Sequence, residues 1–320
     1  MESSLQEEYD AQGRSNGYRL MLGTHTVQHS HLDYDSKGGI IGMNLEGIAS
    51  PFTWQYDPTS GFLNQLTYPN GMVRSNTYHP KLNLVTAIGY KMEGNEETVV
   101  GHKYQYDALM RPVQLRDSWD ATTPETIRDF TYNSRSELLE DRISRGGSFA
   151  YCYDNIGNRI SSIYEGNNLN QHTAVAHSGT VFTPAYDVDG NQTRVNTSTG
   201  TWSVQYNADN RPVIFSQGNR KVECVYDYLG RRVEKVEYDG NALTKRTRFV
   251  YMGYLMVASM DCTQNTSNPS LVATWFWDPA ESESTRVLAM CTHNADKSVA
   301  TTRYVAHDLL KSISALFDSS

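Results

Sequence analysis

No stretch of this 320-residue sequence approaches the roughly 18 consecutive apolar residues that a membrane-spanning helix requires, which excludes helical membrane architectures. The opening residues, Met1 to Glu8, carry acidic side chains and no apolar core, so no secretory signal is expected in them. Positive charge is scarce as well. The chain holds 28 Lys and Arg against 36 Asp and Glu, a net charge of -8, and basic pairs such as Arg231-Arg232 and Lys245-Arg246 are isolated. Phosphate backbones are held by clustered cations, so a nucleic-acid partner is not expected. Cysteine is limited to Cys152, Cys224, Cys262 and Cys291, spaced too widely for a CxxC metal site and too few for a disulfide framework. Buried free thiols are the expected state. Two catalytic signatures are also missing, a Gly-x-Ser-x-Gly elbow and a glycine-rich phosphate loop ending in Lys-Ser/Thr.

What the sequence has instead is tyrosine, 21 of them, and a tyrosine followed by Asp or Asn recurs along the chain. Tyr9-Asp10, Tyr106-Asp107, Tyr153-Asp154, Tyr206-Asn207 and Tyr226-Asp227 are each followed by Arg four or five residues after the Asp or Asn. Anchors at 9, 34, 56, 78, 106, 132, 153, 186, 206, 226 and 251 give steps of 20 to 33 residues, the period of a stacked repeat. Two residues before the anchor stands a large apolar residue, as in Leu32, Trp54, Tyr104, Phe130, Tyr151, Val204, Cys224 and Phe249. Four before it several copies add Phe52, Phe149, Phe182, Trp202 or Val222, while the residue just before is often polar, as in Gln55, Thr77, Gln105, Thr131 and Gln205. That alternation is a strand with one buried face. After the anchor come turn residues, where Asp or Asn bonds the backbone and Gly accepts a positive φ. Seven residues on, an apolar residue returns in eight of ten copies, among them Ile41, Val113, Leu139 and Val213. The unit is strand, tight turn, strand. One hairpin cannot bury its apolar face alone, so successive hairpins pair into a single long sheet that curls. Longer steps are expected to hold loop insertions, at Glu165 to Gly179 and Met92 to Glu97. The nearby Arg is positioned to reach a turn carbonyl, an Asp or a tyrosine ring of the adjoining repeat.

The recurring Tyr-Asp-x-x-Gly-Arg pattern, spread over nearly the whole chain, resembles the YD repeat of bacterial RHS proteins and the teneurin-like YD shell. The resemblance implies an all-β fold of antiparallel hairpin repeats in a long, spiralling sheet, part of a hollow cocoon. It places YD-repeat shell at 1–260 and late repeats at 261–320. There, Phe249 to Ala258, Trp275-Phe276-Trp277-Asp278-Pro279 and Tyr304 to Ser312 resemble the approach to the RHS-associated core, with Lys311 where family members commonly have Gly. The core itself is not found in this sequence, so the chain is expected to be a fragment. The implied role is a structural shell segment of the kind that encloses a C-terminal toxin for secretion or delivery. Its partners would be the remainder of the shell and that toxin cargo, and its location secreted or cell-surface, with cytoplasmic retention of a fragment as the other outcome. A cell-surface or glycan-recognition module is the alternative, and a self-cleaving or toxic enzyme the less favoured one.

Candidate chemistry is thin. His25, His29 and His31, with Asp33 and Asp35, are spaced to bind a metal from a strand or turn, but polar repeat-edge residues explain them equally. A glycosidase needs two carboxyls about 5 to 10 Å apart. Yet Asp10, Asp35, Asp57, Asp107, Asp154, Asp187 and Asp227 all occupy one turn slot, and one structural job accounts for them. Asp278-Pro279 matches a cleavage dipeptide out of its context, and Glu281 and Glu283 are expected to be solvated. No catalytic, cofactor-binding or metal-binding residue is therefore assigned, and the chain is not expected to be an enzyme. Helical spacing competes with the repeat between Val305 and Phe317, where strands are favoured, and Cys262 to Ser270 reads as a surface connection. Open sheet edges invite self-association.

Overall fold

The computed structural model describes residues 3–95, 97–120, 122–160, 164–177, 180–281 and 285–319. Among them there are thirty strands and no helix. A 13-stranded antiparallel sheet runs in strict chain order from Ser3–Tyr9 to Gly147–Ala150, and a 12-stranded one from Ala185–Tyr186 to Ile313–Asp318. Between them lie a two-stranded piece, Cys152–Tyr153 with Arg159–Ile160, and a three-stranded piece formed by Tyr164–Gly166, His172–His177 and Thr180–Phe182. Neither long sheet closes on itself. This is the expected antiparallel hairpin array, with strands paired in chain order, but it is divided among four sheets rather than forming the single continuous one expected.

The sequence alternation maps onto two faces. Gln55, Thr77, Gln105, Thr131 and Gln205 are exposed, whereas Leu32, Trp54, Tyr104, Val204 and Cys224 are buried. For Leu32, Trp54 and Tyr104 the burial comes from the last third of the chain folding over the first. Phe52, Trp54, Leu66, Tyr68, Ile88 and Tyr90 share one core with Phe276, Leu288, Cys291, Tyr304 and Ala306. Tyr18, Leu20 and Leu22 share a second with Val257, Met260 and Leu271. Phe52, Tyr68 and Tyr304 meet edge to face at 5.3, 5.9 and 6.1 Å. Each such fully buried side chain contributes about 1.5–3 kcal/mol, so this seam is where most of the stability resides.

Leu63, Val85 and Ile160, seven after their anchors, pair across the ladder as expected, but in other copies the residue at that position has a different job. Tyr34 pairs with Ile40 and Asp33 with Gly42, which leaves Ile41 as an extra, unpaired residue. Val113, Leu139, Thr193, Val213 and Val233 are skipped in the same way beside Tyr106, Tyr132, Tyr186, Tyr206 and Tyr226. These are β-bulges, absent from the Tyr153 hairpin, and each adds right-handed twist. The curl of the sheet is thus written into most repeats, and Ile41 and Leu139 are each 38% exposed rather than buried.

Val305 to Phe317 is strand, turn and strand, as favoured, through Val299–His307 and Ile313–Asp318. Cys262 to Ser270 connects two strands, though Cys262 itself is fully buried. Cys224 and Cys291 are buried free thiols too, while Cys152 is exposed because its strand has no covering layer.

Candidate functional site

The repeated turn is built from its aspartate outward. In the first copy the N–H of Asp10 donates to the carbonyl of Arg14 at 2.9 Å, and the N–H of Gly13 donates to the carbonyl of Asp10 at 3.0 Å. Oδ1 of Asp10 accepts from the N–H groups of Gln12 and Arg14, both at 2.9 Å, and Oδ2 accepts from Arg14 Nε at 2.7 Å. Asp107 with Arg111 and Asp227 with Arg231 repeat the set within 0.1 Å. The Arg111 guanidinium and backbone N–H hold the Asp107 carboxyl below the usual carboxylate range. A carboxylate so fully engaged is a brace rather than an acid or base. The residue three after the Asp takes a positive φ, which suits Gly at 13, 38, 157, 190 and 230. Met110, Ser136, Asn170, Asn210, Lys297 and Lys311 adopt it with a side chain. A Cβ added at Gly38 meets only Arg14 Nη1, at 3.9 Å, so Gly38→Ala isolates the conformational cost. It should lose about 1 kcal/mol in urea unfolding, and an unchanged midpoint would refute the turn assignment.

Neighbouring turns are joined by the tyrosine. Its hydroxyl donates to the carbonyl five residues after the previous turn's Asp or Asn. Tyr56 reaches Ile40 at 2.9 Å, Tyr132 reaches Pro112 at 2.7 Å, Tyr206 reaches Gln192 at 3.0 Å and Tyr251 reaches Arg232 at 3.0 Å. Tyr34, Tyr153, Tyr186 and Tyr226 do the same to Ser15, Leu138, His172 and Pro212. The turn arginine lies over the following ring, Arg14 at 4.2 Å from the Tyr34 centroid, Arg111 at 4.7 Å from Tyr132 and Arg231 at 5.3 Å from Tyr251. Arg111 Nη1 also donates to the Asn133 carbonyl at 3.2 Å and Arg231 Nη1 to that of Gly253, so these two arginines use Asp, turn carbonyl and adjoining ring together. Burial pushes the Tyr56 hydroxyl up to about 12, so it stays a neutral donor.

A second set of tyrosines, missed by aligning on Tyr-Asp, rivets the two sheets together. Tyr90 Oη accepts from the N–H of His307 at 2.8 Å and donates to its carbonyl at 3.1 Å. Tyr68 Oη donates to the Val305 carbonyl at 3.2 Å, and the N–H of Leu309 donates to Tyr104 Oη at 2.9 Å. The available signal was weak: Tyr68, Tyr90 and Tyr104 fall on the alternating apolar face.

Beside these rivets the seam encloses charge. Arg74, Asp278, Arg286 and His307 are all buried. Burial raises Asp278 to about 6, against backbone bonding from Ala280 and the pull of Arg74 and Arg286. Burial also lowers His307 to about 3, with Arg286 and Arg74 adding to the effect. Asp278 sits in another turn slot, its N–H donating to the Arg286 carbonyl at 2.8 Å, and Trp277 Nε1 takes the tyrosine's role by donating to Met256 O at 2.9 Å. Glu281 is not solvated as expected. It pairs with Arg286 and Lys311, each at 2.8 Å, because the seam supplies two cations there. Glu283 lies outside the described residues.

The histidines read as a metal candidate are brace residues. His29 lies 3.1 Å from Glu8, two strands away, and 3.5 Å from Glu46, and His31 is 3.8 Å from Asp33. Among the described residues no group of three His, Cys, Asp or Glu is placed to hold a metal. Two clefts open between turns. One of about 690 Å3 is bordered by Tyr34, Trp54, Tyr56, Asp35, Asp57 and Pro279. The other, of about 610 Å3, lies between the turns at Asp154 and Asn167. The Glu165 to Gly179 segment, expected to be a loop insertion, carries a further hairpin through Gly166, and its Gly179 lies outside the described residues. Glu96, in the Met92 to Glu97 connection, does so too.

No family model matches the chain, and no curated protein matches its sequence. Solved structures do match in fold. The TcdB2-TccC3-Cdc42 crystal structure aligns with a TM-score of 0.72 at 16% identity, covering 98% of this chain and 17% of that one. The crystal structure of TcdB2-TccC3 gives 0.71 at 16% identity, covering 98% and 18%. The Tc holotoxin pore of Photorhabdus luminescens gives 0.71 at 16% identity, covering 98% and 17%. The chain therefore spans about a sixth of the length of the chains it resembles and shares the fold of that part.

Proposed function

We propose that this chain is a length of wall from a larger RHS-type shell, whose inner face in the complete protein borders a space holding a polypeptide effector. The observation that carries this reading is the uncovered inner face between the two ends of the seam. Positions that are buried in Leu32, Phe52 and Trp54 are half-exposed in Phe130, Tyr151, Phe182 and Trp202, and Phe149 is 51% exposed. A wall made to enclose something presents such a face inward. The likeness in fold to toxin-complex chains over 98% of this chain supports the reading. So does the commitment of the repeated Asp and Tyr groups to bracing, and we read the chain as structural rather than catalytic.

The experiment is protease protection. Tagged chain isolated from its native cells should bring down the rest of a shell and an effector that resists trypsin until urea unfolds the wall. An effector digested equally fast with the wall folded, or no companion at all, contradicts the reading. Self-association is the second expected property, since Ser3–Tyr9 and Ile313–Asp318 are edge strands of their sheets. Light scattering at tens of micromolar should show oligomers, and a monodisperse monomer would count against it. A surface-recognition role is the second reading, favoured by the cleft at Trp54, whose buried Nε1 has no partner.

A further inference from the structure

One turn of the array lacks its ring. Asn167 to Gln171 closes as the others do: the N–H of Asn167 donates to the Gln171 carbonyl at 2.9 Å, and the N–H of Asn170 donates to the Asn167 carbonyl at 3.1 Å. Asn167 Oδ1 accepts from the N–H groups of Leu169 and Gln171 at 2.9 and 3.0 Å, and Asn170 has a φ of 59°. The residue before this turn, in the slot that Tyr153 or Tyr186 fills elsewhere, is Gly166. Trp277, His293 and His307 precede other turns without tyrosine, but each still supplies a ring. Gly166 supplies none.

Among the described residues the space has not been refilled. A Cβ added at Gly166 meets nothing closer than the Gln171 carbonyl at 3.8 Å, and its φ lies outside the left-handed region. The cleft of about 610 Å3 sits here, lined by Ile156, Asn158, Arg159, Ile160, Gly166 and His172 among others. The carbonyl that would accept the missing hydroxyl, five residues after Asp154, is that of Arg159. The Arg159 guanidinium stands 4.3 Å from the Tyr151 centroid and 5.4 Å from that of Tyr164, so aromatic faces already gather at this wall. The two long sheets stop on either side, one ending at Ala150 and the next beginning at Ala185.

We propose that this cleft binds a para-hydroxyphenyl group, which enters where the repeat omits its own tyrosine. The ring packs against Ile156 and Ile160 beside the Arg159 guanidinium, and the hydroxyl donates to the Arg159 carbonyl. The repeat itself defines the ligand, because adjacent slots show what that space accepts. The group comes either from a free phenol or from a tyrosine side chain, and the two sources are separable by experiment.

The test is a titration of the full chain followed by amide NMR. p-Cresol should shift Arg159, Gly166 and His172 with a dissociation constant on the order of 1 mM, and toluene, lacking the hydroxyl, should bind several-fold more weakly. Gly166→Tyr should abolish p-cresol binding and raise the melting temperature by a few degrees, whereas Gly166→Ala, which leaves the slot open, should retain it. N-acetyltyrosinamide binding as tightly as p-cresol assigns the slot to a protein tyrosine, and its exclusion assigns it to free phenols. Equal binding of toluene and p-cresol, or binding that survives Gly166→Tyr, overturns the proposal.

Discussion

Replacing Tyr90 by phenylalanine should lower the unfolding free energy by about 2–4 kcal/mol, far more than the loss of one ordinary hydrogen bond. Tyr90 is fully buried, and its hydroxyl satisfies both the N–H and the carbonyl of His307 from the opposing sheet. Without it, a buried donor and a buried acceptor are stranded, each costing about 1–3 kcal/mol. Phenylalanine preserves the packing, so the effect is confined to those groups. Tyr206→Phe is the internal comparison. Its hydroxyl makes one partly exposed bond to the Gln192 carbonyl, and its loss should cost about 1 kcal/mol. Urea unfolding of both variants measures the difference, and equal midpoints would mean that the two sheets are not joined through Tyr90.

Acidification should separate two buried groups that oppose each other. Asp278 titrates at about 6 in the folded chain against an ordinary 3.8, so the folded state holds its proton more tightly. Its contribution to stability is complete below pH 3.8 and is lost as pH rises through 6. His307 titrates at about 3 against 6.5, so the unfolded state takes the proton first, and stability falls as pH drops from 6.5 towards 3. Each shift corresponds to about 3 kcal/mol between pH 6.5 and 4, and in the native chain the two nearly cancel. Asp278→Asn removes the gain, so the variant should lose about 3 kcal/mol more than the native chain over that range. His307→Gln should lose about 3 kcal/mol less. Parallel stability curves for all three proteins would place both groups in solvent rather than in the seam.

The hairpins, their faces and their turns were legible in the sequence because each depends on residues within about ten positions, and the pattern recurs often enough to be aligned. Asp10, Asp107 and Asp227 announced identical turns by identical spacing, and Arg14, Arg111 and Arg231 stood where a neighbouring ring would be. The slot filled by Trp277, His293 or His307 was less visible, since alignment on tyrosine hides a turn that uses another ring. Gly166 was the extreme case, a turn without any ring, which therefore passed for a loop. The bulge escaped because Ile41 and Val113 look like ordinary strand residues until the pairing of Tyr34 and Tyr106 is known. The seam escaped for a different reason. Tyr90 and His307 are separated by 217 residues, and no local pattern encodes which parts of a long curled sheet come to face one another.

Native-state hydrogen exchange tests the account most directly. If the chain is one rolled wall joined along a seam, amides of Phe52–Tyr56, Met72–Tyr78 and Val85–Met92 should exchange in the same slow class as those of Ser270–Trp277, Val287–His293 and Val299–His307. The uncovered strands from Cys152–Tyr153 to Ala185–Tyr186 should exchange fastest, through local opening. Distinct slow classes for the first and last thirds of the chain, or strong protection of the uncovered strands, would contradict it.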